Sequence, residues 1–372
     1  MNDDETLELA QQLVRIDSVN PSLVPGAAGE AEIGRFAADF LRGHGLEADL
    51  HEVAPGRPNL VSRITGTGGG PSLLLCCHLD TVTVEGMSEP FSARVEDGRL
   101  YGRGAQDVKG GLTSMLAAAV MLSKSPPRGD VIVTGVADEE AYSAGTVGLL
   151  ASGLRADMAV VFEPSELDVV VAHKGFGWLQ VTSKGIAAHG SKPDEGVDAI
   201  AHMGRVLTAI ESLAEELAQR TPHPLLDTAS VHASLIRGGR ELSSYPDECV
   251  VDFERRTLPG ETADTVVAEI ENIIGGLAID ADAELSLFRP AFEIDPAETL
   301  PQAVRQAATR VRGSSDFVGM TGWTDSALLA EAGIPAVVFG PGGAGLHSIE
   351  EFGDIEQICQ CRDILVALAR SL

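Results

Sequence analysis

The sequence predicts an α/β fold, in which a mainly parallel sheet is covered by helices on both faces and a smaller domain is inserted. Three observations predict it. Short apolar runs alternate with helical patterns up to about residue 176, a β-α-β-β-α-β order follows, and the first pattern returns after about residue 291. A chain of 372 residues is long enough for two domains. We therefore assign 1–176 and 291–372 to the larger domain and 177–290 to the inserted one.

The buried strands of the larger domain are predicted from short, mainly apolar runs. These runs are Leu73–Cys77, Val131–Val136, Ala159–Phe162 and Ala336–Phe339. Residues 112–120 instead place apolar side chains three and four positions apart, which is typical of one face of a helix. Because buried strands that alternate with helices favour a parallel sheet with both faces covered, we expect that architecture here.

The inserted domain shows a different pattern of alternating strands and amphipathic helices. Period-2 alternation predicts strands near residues 179–182, 229–235, 249–253 and 285–287. Helix faces are predicted within 197–217 and 266–274. This order is the split βαβ, or ferredoxin-like, arrangement, in which a four-stranded sheet carries two helices on one face.

Charge and cysteine content limit the classes of partner and compartment. The chain has 27 Lys and Arg against 55 Asp and Glu, a formal net charge of −28. Such a surface repels phosphate backbones and anionic headgroups, so we expect neither a nucleic-acid nor a membrane partner. The acidic N-terminus lacks the basic-then-apolar order of a secretion signal. Five cysteines without framework spacing suit a reducing compartment, so we predict a cytoplasmic protein.

Potential metal ligands follow the buried strands at the point where each strand ends. They are His78, Asp80, Glu139, Glu140, Glu163 and His347, with Asp107 in the turn before the first buried helix. In an open parallel sheet, ligands bind outside the carboxyl ends of the strands, so we expect these side chains to converge on one rim. A mixed set of nitrogen and oxygen ligands suits zinc, cobalt or manganese better than calcium or magnesium.

Each of these residues also has a simpler interpretation. A single His after a strand is often a hydrogen-bonded loop residue, and a pair of Glu residues is often a solvated loop. Asp107 also fits the N-cap of the following helix. Because all of these residues fall on successive strand ends of one sheet, a shared metal site explains them more economically than separate coincidences.

Eight ordered motifs give the chain a resemblance to a known family. They are HLDTV at 78–82, YGRGAQDVKGG at 101–111, DEE at 138–140, EP at 163–164, AHGSKP at 188–193, RTLPGE at 256–261, TDS at 324–326, and FGPG with HS at 339–348. The sequence resembles the co-catalytic zinc hydrolases that include acetylornithine deacetylase, succinyl-diaminopimelate desuccinylase, aminoacylase and glutamate-releasing carboxypeptidase. The resemblance covers essentially the whole chain and implies a zinc-peptidase-like catalytic domain.

The resemblance implies a site for two divalent ions. It assigns His78 and Glu163 to one ion, Glu140 and His347 to the other, and Asp107 to a bridging position. Zn²⁺ is preferred. Gln106 stands beside Asp107 where relatives often carry a smaller residue or Cys, and because it could tune the choice of metal, Co²⁺ and Mn²⁺ stay alternatives.

The resemblance also implies catalytic roles for three residues. Asp80 would accept the second ring N–H of His78 and so fix its tautomer. Glu139 would be the general base, taking a proton from the attacking water and passing it to the leaving amine. His189, in the inserted domain, would stabilise the developing oxyanion, in many relatives across a dimer interface.

Substrate binding is the last function that the resemblance implies. Arg256 would bind a substrate carboxylate through its planar fork, and the backbone N–H groups of Gly340, Gly342 and Gly343 would approach the same carboxylate. The inserted domain would then serve as a lid and as the contact surface of a homodimer.

Three functions are compatible with this sequence. The first is hydrolysis of the N-acyl bond of an N-acyl-amino acid, of the acetylornithine deacetylase or desuccinylase type. The second is a metallo-exopeptidase, either a dipeptidase or a carboxypeptidase, with the same metal site. The third is a binding protein that has kept the fold without the chemistry. Hydrolysis rates on acetyl, succinyl and dipeptide substrates separate them.

Overall fold

The computed structural model describes all 372 residues of the chain, as nine helices and seventeen strands. The helices are α1 (Asp3–Val14), α2 (Ala31–Gly43), α3 (Lys109–Lys124), α4 (Ala144–Ala151), α5 (Ala199–Gln219), α6 (Ala263–Leu277), α7 (Thr299–Arg312), α8 (Ser326–Glu331) and α9 (Ile355–Ser371). The strands are β1 (Ala48–Ala54), β2 (Arg57–Ile64), β3 (Leu73–His78), β4 (Arg94–Glu96), β5 (Arg99–Tyr101), β6 (Val131–Val136), β7 (Met158–Val161), β8 (Val169–His173), β9 (Gly175–Lys184), β10 (Ser230–Gly238), β11 (Glu248–Thr257), β12 (Ala281–Arg289), β13 (Phe292–Glu293), β14 (Phe317–Met320), β15 (Ala336–Val338), β16 (Gly343–Ala344) and β17 (Phe352–Asp354).

The chain divides into two compact units. Unit 1 contains residues 1–171, 294–318 and 324–372. Unit 2 contains residues 172–293 together with the short segment 319–323. The segment expected to form the inserted domain, residues 177–290, lies wholly within unit 2.

The main sheet of unit 1 has the strand order β1-β2-β6-β3-β7-β15-β8. Its four central strands, β6, β3, β7 and β15, run parallel to one another. All residues of these four strands are buried, as expected where helices cover both faces of a parallel sheet. The flanking pairs β1–β2, β2–β6 and β15–β8 are antiparallel, so the predicted parallel character belongs to the centre of the sheet.

The helices of unit 1 pack in two groups. In the first group, α3 packs against α1, α2 and α9, α7 packs against α9, and α3 is buried on nearly every side. In the second group, α4 packs against α8 and against strands β1, β2 and β6. None of the nine helices combines the length and the apolar content that crossing a membrane requires.

A second sheet in unit 1 is small and was not predicted. Its strand order is β16-β17-β5-β4, and every pairing is antiparallel. Strands of two or three residues are too short to show a period of two in the sequence. This sheet pairs Tyr101 with Phe352, and so brings the turn that precedes α3 beside the segment that follows His347.

Unit 2 is built on a four-stranded antiparallel sheet with the order β10-β11-β9-β12. Helices α5 and α6 pack against this sheet, and their apolar faces form a single core with residues such as Val181, Phe253 and Val266. All six elements of the predicted β-α-β-β-α-β order are present. They could be predicted because alternation in strands and apolar spacing in helices are both clear where one face of an element is solvated.

Candidate metal centre

The first part of the site lies at the carboxyl end of β3. His78 is the last residue of that strand and is buried. Its Nδ1 lies 3.0 Å from the backbone carbonyl of Asp80, to which it donates a hydrogen bond. Its Nε2 lies 3.1 Å from Asp107 Oδ1 and 3.8 Å from Glu163 Oε1. The carbonyl therefore holds the ring so that Nε2 faces the two carboxylates.

The second part of the site is formed by Asp107, Glu140 and His347. The Nε2 atom of His347 lies 3.3 Å from Asp107 Oδ2 and 3.4 Å from Glu140 Oε2. Each carboxylate oxygen of Asp107 thus faces a different imidazole, an arrangement that suits a bridging ligand. Asp107 is not the cap of α3, because the N-cap residue is Val108 and no side chain caps that helix.

The donor atoms fit divalent metal ions. His78, Asp107 and Glu140 form one group, and His78, Glu139 and Glu163 form another, with the ligand atoms of each group within 4.8 Å of one another. Oε1 of Glu140 and Oε1 of Glu163 are buried without a hydrogen-bond donor. Because a buried carboxylate oxygen without a partner is costly, cations among these groups would stabilise them.

The electrostatics of the site are those of crowded, buried charges. Burial, together with the charge of Asp107, raises the pKa of Glu140 to about 7. Burial and the neighbouring charge of Glu163 raise the pKa of Glu139 well above its usual value. Burial opposes ionisation of Asp107, but hydrogen bonds from His347 and His78 outweigh it and lower the pKa of this carboxyl. Hydrogen bonds to Asp107 and Glu140 raise the pKa of His347 to about 10.

The metal-free protein is expected to lose stability as pH rises from 4.5 to about 10. A group with a raised pKa in the folded chain stabilises that chain only while its proton is bound. For Glu140 this contribution is lost between pH 4.5 and about 7, and for His347 between 6.5 and about 10. Melting temperatures of chelator-treated protein measure the loss. His347→Gln should show a smaller decline above neutral pH, and an unchanged decline would contradict this assignment.

The turn after β6 presents Glu139 and Glu140 to the two groups of ligands. Asp80 accepts the backbone N–H of Glu139 through Oδ1 and that of Glu140 through Oδ2, both at 3.1 Å. Asp138, which precedes them, has φ of 70°. The nearest contact of the His78 ring to Asp80 is the backbone carbonyl, since the carboxylate Oδ1 is 3.6 Å away. The Asp80 carboxylate therefore positions the turn more directly than it positions the imidazole.

A buried polar network behind this turn has no signal in the sequence. Arg57 donates to Asp138 at 2.8 Å and also pairs with the buried Glu30. Asn20 donates to Asp80 at 2.7 Å and to Asp138 at 3.1 Å. These partners lie 27 to 118 residues apart in the chain, so no spacing rule links them. Arg57 and Asn20 are functional candidates that sequence reasoning missed.

His189 and Arg256 belong to unit 2. His189 is exposed, and its Nδ1 lies 2.8 Å from the hydroxyl of Ser191. Arg256 lies on β11, where its Nε donates to Glu254 at 2.8 Å and its guanidinium stacks over the ring of Phe176. Its neighbour Arg255 is buried and forms ion pairs with two carboxylates of unit 2. Arg256 is therefore the accessible guanidinium of the pair.

The predicted glycine loop has its amides already hydrogen-bonded within unit 1. The N–H groups of Gly340, Gly342 and Gly343 donate to Ser165, Gln357 and Glu166, at 3.0, 2.8 and 3.1 Å respectively. A Cβ atom at residue 342 would lie 2.0 Å from the Glu166 carboxyl group, so close packing accounts for glycine there. Binding of a substrate carboxylate by these amides stays a prediction, and it requires displacement of these partners.

Curated relatives match the chain over nearly its full length. An N-formyl-4-amino-5-aminomethyl-2-methylpyrimidine deformylase from Bacillus subtilis (strain 168) is 28% identical over 406 residues, covering 98% of this chain and 93% of the relative. An acetylornithine deacetylase from Myxococcus xanthus is 31% identical over 372 residues, covering 95% of this chain and 94% of the relative. The names of these two relatives describe different amides. The matches therefore indicate a shared type of reaction rather than a single shared substrate.

Solved structures share the fold, and a family model matches most of the chain. Aminopeptidase PepT from Bacillus cereus ATCC 10987 has a TM-score of 0.82 at 20% identity, covering 100% of this chain and 98% of that chain. The Bacillus subtilis YXEP protein, a dinuclear metal-binding peptidase, has a TM-score of 0.76 at 18% identity, covering 99% and 98%. The family model matches residues 74–371. The chain therefore belongs to peptidase family M20/M25/M40, the dinuclear metal-binding hydrolases that act on amide bonds.

Proposed function

We propose that this protein hydrolyses the N-acyl bond of a small N-acyl-amino acid, with two divalent ions, preferably Zn²⁺. The observation that carries this proposal is the convergence of two imidazoles and four carboxylates at the carboxyl ends of the parallel strands. The Myxococcus xanthus acetylornithine deacetylase, 31% identical over 95% of this chain, supports a deacylase. We assign the two ions to His78 with Glu163 and to Glu140 with His347, bridged by Asp107.

Glu139 is the general base in this proposal. Bound divalent ions would supply Lewis acidity and lower the pKa of the attacking water. The Glu139 carboxylate accepts the proton of that water as the oxygen attacks the amide carbonyl, and then donates it to the leaving amine. Burial and the charge of Glu163 raise the pKa of Glu139 in the metal-free chain, and bound cations would lower it towards the ionised form that a base requires. Asp80 fixes the backbone of the turn that presents Glu139.

Substrate recognition in this proposal uses residues of unit 2. Arg256 binds the substrate carboxylate through its guanidinium. The substrate carboxylate then replaces part of the contact between Arg256 and Glu254. The exposed imidazole of His189 donates to the oxygen of the scissile carbonyl as negative charge develops there. His189 is exposed and Arg256 is half-buried, and this accessibility supports these roles because a residue that binds substrate must be reachable from solvent.

A substrate panel tests the proposed function. Protein loaded with Zn²⁺, Co²⁺ or Mn²⁺ is expected to hydrolyse N-acetyl- or N-succinyl-amino acids faster than dipeptides. A preference for dipeptides would favour the exopeptidase, and a preference for N-formyl amines without a carboxylate would favour an activity like that of the deformylase relative. If metal-loaded protein hydrolyses none of these amides, the non-catalytic alternative gains support.

A homodimer formed through unit 2 is part of this proposal. Strand β10 lies at the edge of its sheet and exposes Leu235 and Ile236, 65% and 60% accessible respectively. An edge strand with exposed apolar residues is a common contact surface between identical subunits. Analytical ultracentrifugation of wild type and Ile236→Glu tests it, because the charged residue should shift a dimer towards monomer.

Location in a reducing compartment is part of this proposal, and the state of the cysteines is compatible with it. All five are free and buried. Burial raises the pKa of the Cys76 and Cys361 thiols to about 12, so these groups stay protonated and unreactive at neutral pH.

A further inference from the structure

We propose that Glu351 is a positioning residue for the metal centre. Its buried carboxylate holds the loop that carries Asp107 and ties it, through Arg103, to the segment that carries His347. This inference rests on the ligand roles proposed above for Asp107 and His347. It assigns a function to a residue that contacts neither the reacting amide nor, directly, a metal ion.

The Glu351 carboxylate receives four hydrogen bonds. The guanidinium of Arg103 donates to Oε2 at 2.6 Å, and the backbone N–H of Gly104 donates to the same oxygen at 3.1 Å. The backbone N–H groups of Gln106 and Asp107 donate to Oε1 at 2.9 and 3.1 Å. Glu351 is only 1% accessible to solvent, so water cannot replace these donors. One side chain therefore fixes three amides of the loop, including that of Asp107.

Arg103 extends this contact to the other ligand segments. It is buried, and its Nη2 donates to the carbonyl of Ser348, the residue after His347, at 2.9 Å. Its Nε donates to the carbonyl of Thr83, close to Asp80 in the chain, at 2.9 Å. Arg103 and Glu351, which are 248 residues apart in the chain, thus connect three segments.

The small antiparallel sheet brings Glu351 to this loop. Phe352 pairs with Tyr101 across β17 and β5, and the N–H of Gly102 donates to the Glu351 carbonyl at 3.1 Å. The residue before β17 therefore lies beside the start of the Asp107 loop. Backbone pairing supplies the proximity, and the Glu351 side chain supplies the orientation of the amides.

The negative charge of Glu351 is required for this function. A carboxylate has only acceptor positions, and all four groups that face it are donors. A glutamine of the same shape would turn an NH₂ group towards donors and leave a buried amide or guanidinium unsatisfied. The loop would then relax, and the distances of Asp107 Oδ1 to His78 and Oδ2 to His347 would no longer be fixed near 3.1 and 3.3 Å.

The expected result is weaker metal binding in Glu351→Gln. Loss of a group that orients a ligand typically costs about 10–100-fold in metal affinity. Chelator competition with Co²⁺ measures the dissociation constants, and the visible spectrum of bound Co²⁺ reports the ligand geometry. We expect the dissociation constants to rise by about 10–100-fold and the spectrum to change.

Matched variants separate this function from general stability. Glu269→Gln removes a carboxylate from the ion pair of the buried Arg255 in unit 2, and should lower the melting temperature without changing Co²⁺ affinity. If Glu351→Gln does not fold, Arg103→Lys tests the same contact, because lysine keeps the charge but loses the fork that reaches Ser348 and Thr83. Wild-type affinity in the folded Glu351 variant, or in Arg103→Lys, would overturn the proposal. If the wild-type protein itself binds no Co²⁺, the proposed function fails instead.

Discussion

Glu139→Gln is expected to keep its metal ions while kcat falls by about 10²–10⁴ or more. Glutamine has nearly the same shape as glutamate but cannot take a proton from water at neutral pH. The turn should stay in place, because Asp80 holds it through the backbone N–H of residue 139 and not through the side chain. Metal content by elemental analysis and steady-state kinetics on the preferred amide measure the two effects separately.

The control for this experiment is Glu140→Gln, one residue away. Its carboxylate lies with Asp107 and His347, so its replacement should lower metal content as well as rate. A Glu139→Gln protein that retains wild-type activity would show that Glu139 is not the base. A variant that loses metal as readily as Glu140→Gln would show instead that Glu139 is a ligand, a role that its place beside His78 and Glu163 also permits.

Asp107→Ala is expected to abolish tight binding of both metal ions, whereas His347→Ala should abolish mainly one. The reason is geometric: Asp107 Oδ1 faces His78 and Oδ2 faces His347, so its loss affects the ligands proposed for both ions. His347 is proposed as a ligand of only one ion, and its side chain is 52% accessible. Elemental analysis after dialysis should therefore give a stoichiometry near zero for Asp107→Ala and near one for His347→Ala.

Activity should follow metal content in these two variants. Excess Zn²⁺ is expected to restore part of the activity of His347→Ala, because Asp107 and Glu140 remain to hold the second ion. The same addition should not restore Asp107→Ala. Equal stoichiometry in the two variants would argue against a bridging function for Asp107, and full metal content in His347→Ala would remove His347 from the ligand set.

The strands that present the ligands could be predicted from the sequence alone. Strand β6 lies at the predicted residues 131–136, and β3, β7 and β15 differ from their predicted bounds by no more than one residue at each end. Such runs are recognisable because a strand buried on both faces is apolar along its length. The rule that ligands bind at the carboxyl ends of parallel strands then predicts that His78 and Glu163 lie together, and His78 Nε2 is 3.8 Å from Glu163 Oε1.

The supporting contacts could not be predicted in the same way. The three-residue strand β17, the partners of Arg57 and the amides held by Glu351 depend on residues that are far apart in the chain and show no periodicity. The glycine loop shows the opposite limitation. Its composition suggested free amides, but Ser165, Gln357 and Glu166 accept those hydrogen bonds.

The sequence by itself determined which side chains stand at the strand ends, because local apolar patterning decides where a buried strand stops. It also determined the order of the central strands of unit 1 and of all six elements of unit 2, since the spacing of apolar residues shows them. Only the tertiary structure decided how the ligands are oriented: that Asp80 holds the turn of Glu139, and that Glu351 holds the loop of Asp107. Orientation depends on hydrogen bonds between distant segments, and such bonds exist only once the chain has folded.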